Sequence, residues 1–143
     1  MKRAHDFGRK LESIIENNDR KKFLELPCFP SNCIEEDDID YVFGTNNQPS
    51  FIKSFLENPE IEMKVFGPFV YDDNSTKGSN YIVMYYHPKK VKFNDSGHLS
   101  ETNRERLWWE GYIETVIHCQ NELCGFQQTP FYHGAHLPWA EDY

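Results

Sequence analysis

Long apolar runs are absent from this sequence. No run approaches the roughly 20 apolar residues needed to cross a bilayer, and charged residues interrupt the apolar ones in the first stretch, MKRAHDFGRKLESII. A secretory signal requires an uninterrupted apolar segment, so the sequence predicts a cytoplasmic protein without a membrane partner. The 143 residues contain no repeat, low-complexity tract or linker. They therefore predict a single domain over residues 1–143.

Nucleotide-binding motifs and clusters of basic residues are also lacking. There is no glycine-rich phosphate loop, Walker pattern or Gly-x-Ser-x-Gly elbow. The 23 acidic and 15 basic residues give a net charge of -8. Nucleic acids and anionic membranes both require clustered Lys and Arg, so neither is an expected partner. The acidic balance suits a basic protein partner, or simply solubility.

Cys119 and Cys124 have four residues between them, as paired zinc ligands can, but the histidines do not have the spacing of a zinc site. Structural zinc usually has three to five residues between paired histidines, whereas His133 and His136 are separated by only two. We therefore predict no metal and no cofactor. In a cytoplasmic protein the four cysteines are expected to be reduced thiols; they are Cys28, Cys33, Cys119 and Cys124.

A pair of strands in residues 107–132 is the predicted centre of the fold. The stretch LWWEGYIETVIHCQ alternates from Leu107 onward, a polar turn follows, and LCGFQQTPFY forms the second apolar run. One face of the first strand is apolar and the natural inner face. The opposite face carries aromatic and polar side chains: Trp108, Glu110, Tyr112, Glu114, Val116 and His118.

The first half of the chain predicts helices. Apolar residues at helical spacing indicate a helix over residues 4–17, and residues 17–19 can cap a short second helix. Pro49, in a first-turn position, is predicted to begin another helix. Its apolar side is expected to carry Phe51, Ile52, Phe55 and Leu56.

The second half predicts strands. Alternation begins at Ile61, with a bend or bulge at residues 67–68, and the apolar run 81–87 is typical of a central strand covered on both faces. A further short strand is predicted over residues 91–93, and Trp139 could plug the fold. The fold class is α+β, with N-terminal helices packed on an antiparallel sheet.

This order of elements resembles the nuclear transport factor 2-like fold, also called cystatin-like or SnoaL-like. The resemblance lies in an N-terminal amphipathic helix followed by a short one at DRKKFLELPC, and in strands containing WWEGYIETVI and LCGFQQTPF. It implies a curved, cone-like sheet around a long helix, with a pocket at the open end. The fold hosts dehydratases, isomerases, transport factors and bacterial immunity proteins, so it does not select a function.

The polar face of the long strand is one candidate site. Alternate residues lie roughly 7 Å apart in a row, so on a concave face Trp108, Glu110, Tyr112, Glu114 and His118 would line a pocket. A carboxylate beside Tyr and His could then abstract a proton without a cofactor, as in enzymes of the resembled fold. The simpler expectation is a solvent-exposed sheet face, and a homodimer interface is a third alternative.

The acidic run is the other candidate site. Five of the six residues 35–40 are acidic, and Tyr41 and Phe43 follow. The segment fits either a helix whose acids favour its dipole or a short strand after an acidic loop. We expect this run to bind a basic toxin domain in the manner of an immunity protein that occludes its target, and no catalytic residue is then needed. The expected contacts are Glu35, Glu36, Asp37, Asp38, Asp40 and Tyr41, with Glu141 and Asp142 as further candidates.

Overall fold

A computed structural model describes residues 2–29, 33–69, 78–107, 110–121, 123–127 and 130–131. The helices are α1 (Lys2–Glu16), α2 (Arg20–Leu24), α3 (Glu36–Phe43), α4 (Phe51–Glu57) and α5 (Glu101–Leu107). The strands are β1 (Cys28–Phe29), β2 (Glu62–Phe69), β3 (Ser79–Tyr86), β4 (Tyr112–Gln120) and β5 (Leu123–Gln127). None of the helices in these ranges combines the length and apolarity that a bilayer crossing requires.

The N-terminal helices form as the periodicity predicts. Phe7, Leu11 and Ile15 lie on one stripe of α1 and are buried. Asp19 caps α2 by accepting a hydrogen bond from the Lys22 amide at 3.1 Å. The start of α4 differs from expectation, because Ser50 is its N-cap and Pro49 precedes the helix.

The sheet has the order β1-β5-β4-β3-β2, with the β4–β5 hairpin inside it. Strands β2 to β5 form an antiparallel meander, as predicted. A register shift between Phe66 and Phe69 forms the expected bulge in β2. The prediction of a wholly antiparallel sheet was wrong. Cys28 and Phe29 pair in parallel with β5 and make the sheet mixed.

One face of the sheet carries the larger core. Side chains from α1 to α4 pack there against alternate residues of the strands, including Val83, Ile113, Ile117 and Phe126. Phe23 of α2 contacts Phe43 of α3 edge to face, with ring centroids 5.3 Å apart. The helices therefore shield this face of the sheet, as the sequence predicts.

The other face of the sheet is also buried, which corrects the expectation of a solvent-exposed face. Ile82, Met84, Tyr112 and Val116 form a second core on it. The polar segment between β3 and β4 covers this core by inserting three apolar side chains, Val91, Leu99 and Leu107. Both central strands, β3 and β4, are thus buried on both faces.

Two predictions failed within the covering segment. Residues 91–93 form no strand, and Val91 instead packs from irregular chain. Leu107 ends α5 and does not begin the long strand, which starts at Tyr112 after a turn at residues 110–111. Helix α5 escaped prediction because its sequence, ETNRERL, has one apolar residue and therefore no stripe.

The four cysteines form two disulfides, so the prediction of reduced thiols was wrong. Cys28 is bonded to Cys33, and Cys119 is bonded to Cys124 across the β4–β5 hairpin. The second bond joins residues that are paired in the sheet register. The sequence contains both pairs at the same separation of five residues, which was a usable signal.

The disulfides can be tested directly by alkylation. We expect iodoacetamide to modify none of the four cysteines in the non-reduced, unfolded protein, and all four after reduction. Intact-mass spectrometry of the two samples measures this. Alkylation of any cysteine without reductant would contradict the pairing.

The protein is expected to lose stability in alkali because two of its tyrosines are buried. Tyr85 donates a hydrogen bond to the Gly8 carbonyl at 2.6 Å, and Tyr112 donates one to the Arg104 carbonyl at 2.7 Å. Burial raises the pKa of both phenols above the ordinary value of 10.0, and the charge of Glu114 raises that of Tyr112 further. The folded state therefore holds these protons more tightly than the unfolded state.

The contribution of these two tyrosines to stability is fully present below pH 10. It falls as the pH rises above 10, because the tyrosines of the unfolded chain ionise first. Urea titrations between about pH 8 and 11 measure the slope. The pair of substitutions Tyr85→Phe and Tyr112→Phe should flatten it, since phenylalanine does not titrate. An unchanged slope in that variant would contradict the assignment.

Candidate functional site

The acidic run forms helix α3, which resolves the choice between helix and strand. Glu35 is the N-cap, and its amide donates a hydrogen bond to the Asp38 carboxylate at 2.8 Å. Glu36, Asp37 and Asp38 occupy the first turn, where carboxylates are favoured by the helix dipole. Some of the acidic composition therefore has a structural reason, and Asp38 in particular is a capping residue.

The remaining acids are directed outward. Glu35, Glu36, Asp37 and Asp40 are exposed, whereas Val42 and Phe43 at the end of α3 are buried. Among the described ion pairs, none includes one of these four carboxylates. The Glu35 side chain also takes part in the capping box of α3.

The connection between α3 and α4 holds the acidic helix in a fixed orientation. Gly44 ends α3 at a φ of 82°, and a Cβ there would lie 2.7 Å from the Ser50 backbone nitrogen. Arg20 of α2 donates a hydrogen bond to the Gly44 carbonyl at 3.1 Å. A helix with both ends held in this way presents its acids at defined positions.

Ser50 fastens the two helices together. Its single O–H faces two carbonyl oxygens and donates a shared hydrogen bond to that of Val42 at 2.6 Å and that of Tyr41 at 2.9 Å. The same oxygen accepts a hydrogen bond from the Lys53 amide at 3.2 Å, which caps α4. One buried side chain thereby joins the end of α3 to the start of α4.

We expect Ser50→Ala to lower the free energy of unfolding by about 1–2 kcal/mol, because it removes a cap and leaves a buried carbonyl unsatisfied. The matched control is Ser54→Ala, an exposed position on the same helix, which should change stability by less than about 0.5 kcal/mol. Urea denaturation monitored by circular dichroism compares them. Equal stability of the two variants would contradict the role of Ser50.

A cavity of about 390 Å³ opens beside the acidic helix. Asp37, Asp40 and Tyr41 line it from α3, and Pro49 and Phe51 line it from the α4 side. Partial burial raises the pKa of Tyr41 to about 12. Phe51, expected on the apolar side of α4, is instead 48% exposed. The site thus combines carboxylates with two aromatic rings.

We call the exposed surface of Glu35, Glu36, Asp37, Asp40, Tyr41 and Phe51 the acidic face. The acids and Tyr41 are residues that the sequence predicts. Phe51 was missed as a contact because it shares a helical stripe with Phe55, and the sequence predicted that both face the core.

The alternative site on the long strand does not form an open row. Tyr112, Glu114 and His118 are buried, whereas Glu110 is exposed in the turn before β4. Trp108 lies outside the described residues. Tyr112 lies in the core that the segment before β4 covers, Glu114 lies beside Arg104, and the His118 ring contacts that of Phe29. Other parts of the chain therefore occupy the position that a substrate or a second subunit would need.

Each buried polar residue of this strand has partners inside the protein. A carboxylate oxygen of Glu114 lies 3.7 Å from the Arg104 guanidinium. His118 Nδ1 is 2.7 Å from Asn80 Oδ1, and Gln120 Nε2 is 3.1 Å from His118 Nε2. In this arrangement Nδ1 of the ring faces an amide oxygen, which accepts, and Nε2 faces an amide nitrogen, which donates. The arrangement pairs buried polar groups of the chain with one another and does not resemble an acid–base pair directed at a ligand.

The other candidates are outside the part of the chain that the structure describes. They are the two histidines considered as zinc ligands, the expected apolar plug and the two C-terminal acids: His133, His136, Trp139, Glu141 and Asp142. Within the described residues, no group of three or more His, Cys, Asp or Glu side chains could hold a metal ion.

Comparisons with known proteins found no match to this chain among family models, curated proteins or solved structures.

Proposed function

We propose that this protein is a binding module for a basic protein partner and, more specifically, an immunity-type inhibitor that occludes a toxin domain. The observation that carries the proposal is the acidic face, where the exposed carboxylates of Asp37 and Asp40 line a cavity together with Tyr41 and Phe51. Neither carboxylate belongs to an ion pair within the described part of the chain. Such a surface can attract a basic partner over a distance and then bury an aromatic anchor. The net charge of -8 adds to the attraction.

The rigidity of the acidic face supports the same function. An inhibitor gains affinity when its contact residues are held in the bound arrangement before association. Ser50 joins α3 to α4, and Arg20 anchors the turn between them. The partner therefore would not have to order this surface on binding.

We retain the nuclear transport factor 2-like cone as the hypothesis for the detailed shape of the α+β fold. A cofactor-free dehydratase or isomerase of that fold is the less favoured function, because Tyr112, Glu114 and His118 are buried. Glu114 is paired with Arg104, and His118 is hydrogen-bonded to Asn80. The proposed cytoplasmic location is less favoured by the disulfides, which are rare there. Alkylation of the protein taken directly from its source cells distinguishes a cytoplasmic from an oxidising compartment.

Affinity capture tests the binding function. The tagged protein is incubated with lysate of the source organism, and captured proteins are identified by mass spectrometry at about 50 mM and about 500 mM salt. We expect a stoichiometric basic protein that is retained at low salt and lost at high salt. It should also be lost when Asp37 and Asp40 are both replaced by lysine. Capture of no protein, or of one that the double variant retains equally, would contradict the proposal.

A further inference from the structure

A second cavity lies on the edge strand β2, away from the acidic face in sequence. Its volume is about 390 Å³, and it is lined by residues of β2 and by residues 96–98. Lys64 extends into an aromatic setting there. Its ammonium nitrogen is 4.1 Å from the ring centroid of Phe93 and 5.2 Å from that of Phe66. We call this space the Lys64 cavity.

The loop over the Lys64 cavity is held in one conformation by its own hydrogen bonds. The Asn94 side chain accepts from the amides of Ser96 at 3.0 Å and His98 at 2.9 Å, and the Gly97 amide donates to the Asn94 carbonyl at 2.8 Å. The Gly97 carbonyl in turn accepts a hydrogen bond from Lys64 Nζ at 2.6 Å. The ammonium is thus fixed before any ligand arrives.

Gly97 permits this close approach. Its φ is 80°, a conformation that side chains disfavour, and a Cβ at this position would lie 3.3 Å from Lys64 Nζ. The lining of the cavity also includes the β2 bulge at Gly67 and Pro68. Bulges commonly redirect a side chain next to a binding site.

The cation in this cavity has no acidic partner among the described ion pairs. An ammonium has three N–H donors, and one of those of Lys64 is directed at the Gly97 carbonyl. Burial lowers the pKa of the Lys64 amine, which indicates that the surrounding protein solvates the charge less well than water does. A carboxylate would compensate this charge and accept the remaining donors.

We propose that the Lys64 cavity binds a small organic carboxylate that has an aromatic or apolar body. The carboxylate would pair with Lys64, and the body would contact Phe66 and Phe69, which line the cavity. His98, also in the lining, would supply a second polar contact. The volume lies within the range of small-molecule sites, roughly 300–1,000 Å³.

This site is independent of the acidic face. It has the opposite charge and uses different residues, so it could serve an inhibitor or any other function of the protein. Failure of the partner experiment would leave it standing, and failure of the ligand experiment would leave the partner proposal standing.

The test compares phenylacetate with phenylacetamide, its uncharged analogue, by NMR titration of the ¹⁵N-labelled protein. We expect phenylacetate to bind at least about tenfold more tightly, because only the acid pairs with Lys64. The amide signals of Gly97 and His98 should shift during the titration. Equal affinity for the two compounds, or no binding of either up to about 20 mM, would overturn the proposal without any variant being needed.

A variant assigns the effect to the lysine. Lys64→Met should weaken phenylacetate binding at least about tenfold and abolish the preference for phenylacetate over phenylacetamide. The matched control is Lys92→Met, an exposed lysine in the segment that follows β3, which should bind phenylacetate as the unmodified protein does. Equal losses in the two variants would indicate a general charge effect and contradict a site at Lys64.

Discussion

Arg104→Met is expected to lower the free energy of unfolding by about 3–5 kcal/mol, because it leaves the Glu114 carboxylate buried without its counter-ion. The Arg104 and Glu114 side chains are only 1% and 0% exposed, and their charged atoms lie 3.7 Å apart. Neither charge can reach water in the folded state. Removing one of them therefore costs far more than removing a surface ion pair, which contributes about 0–1 kcal/mol.

The matched control is Arg106→Met on the same helix. The Arg106 side chain is exposed and contacts Asn103 on the surface, so we expect a change within about 0.5 kcal/mol. Urea denaturation monitored by circular dichroism measures both variants. A loss below about 1 kcal/mol for Arg104→Met would show that the ion pair is not buried as described.

A double variant separates the ion pair from general packing. Replacing Arg104 by Met and Glu114 by Leu removes both charges, and buried ion pairs replaced by apolar residues often leave stability unchanged or raise it. We expect the double variant to recover most of the loss of Arg104→Met. A double variant as unstable as the single one would attribute the loss to the packing of α5, and not to an unpaired charge.

Reversing the charge of Asp37 and Asp40 together is expected to slow association with the basic partner at least about tenfold at low salt. Both residues line the cavity of the acidic face and are exposed, so lysine at these positions should preserve the fold. Asp38 is unsuitable for this test because its carboxylate accepts the hydrogen bond that caps α3. Surface plasmon resonance at several salt concentrations gives the rate constants.

The control for this experiment carries the same change in net charge elsewhere. Glu25 and Glu110 are exposed and lie outside the acidic face, and replacing both by lysine should slow association only slightly. The difference between the two double variants should shrink as salt rises, since screening acts on separated charges. Equal slowing in both variants would show that net charge, and not the acidic face, governs association.

Regular hydrophobic patterns accounted for much of the fold. The stripe on α1 and the continuous apolar run of β3 each place buried side chains in a row, and both elements form where that periodicity predicts. The cover over the second sheet face has no such pattern, because Val91, Leu99 and Leu107 reach it from irregular chain and a polar helix. Ser100 was the usable signal for that helix, since its hydroxyl accepts the Asn103 amide at 3.3 Å.

The candidate sites likewise include residues that the sequence pattern reveals and residues whose surroundings depend on tertiary packing. The acids of α3 could be recognised from composition alone, because exposed charge needs no tertiary partner. The burial of Glu114 could not, since it depends on Arg104 arriving from a different element. The site at Lys64 could not be predicted either. Alternation in β2 predicts only that a lysine lies on one face, and it does not predict the aromatic rings around that lysine.

The most direct test of the inhibitor function is growth rescue. The partner identified by affinity capture is expressed in a bacterial host alone, with the unmodified protein, with the Asp37→Lys, Asp40→Lys variant, and with the Glu25→Lys, Glu110→Lys control. We predict that the partner alone arrests growth, that the unmodified protein and the control restore it, and that the variant at the acidic face does not. A partner that is harmless alone, or equal rescue by both double variants, would contradict inhibition through this face.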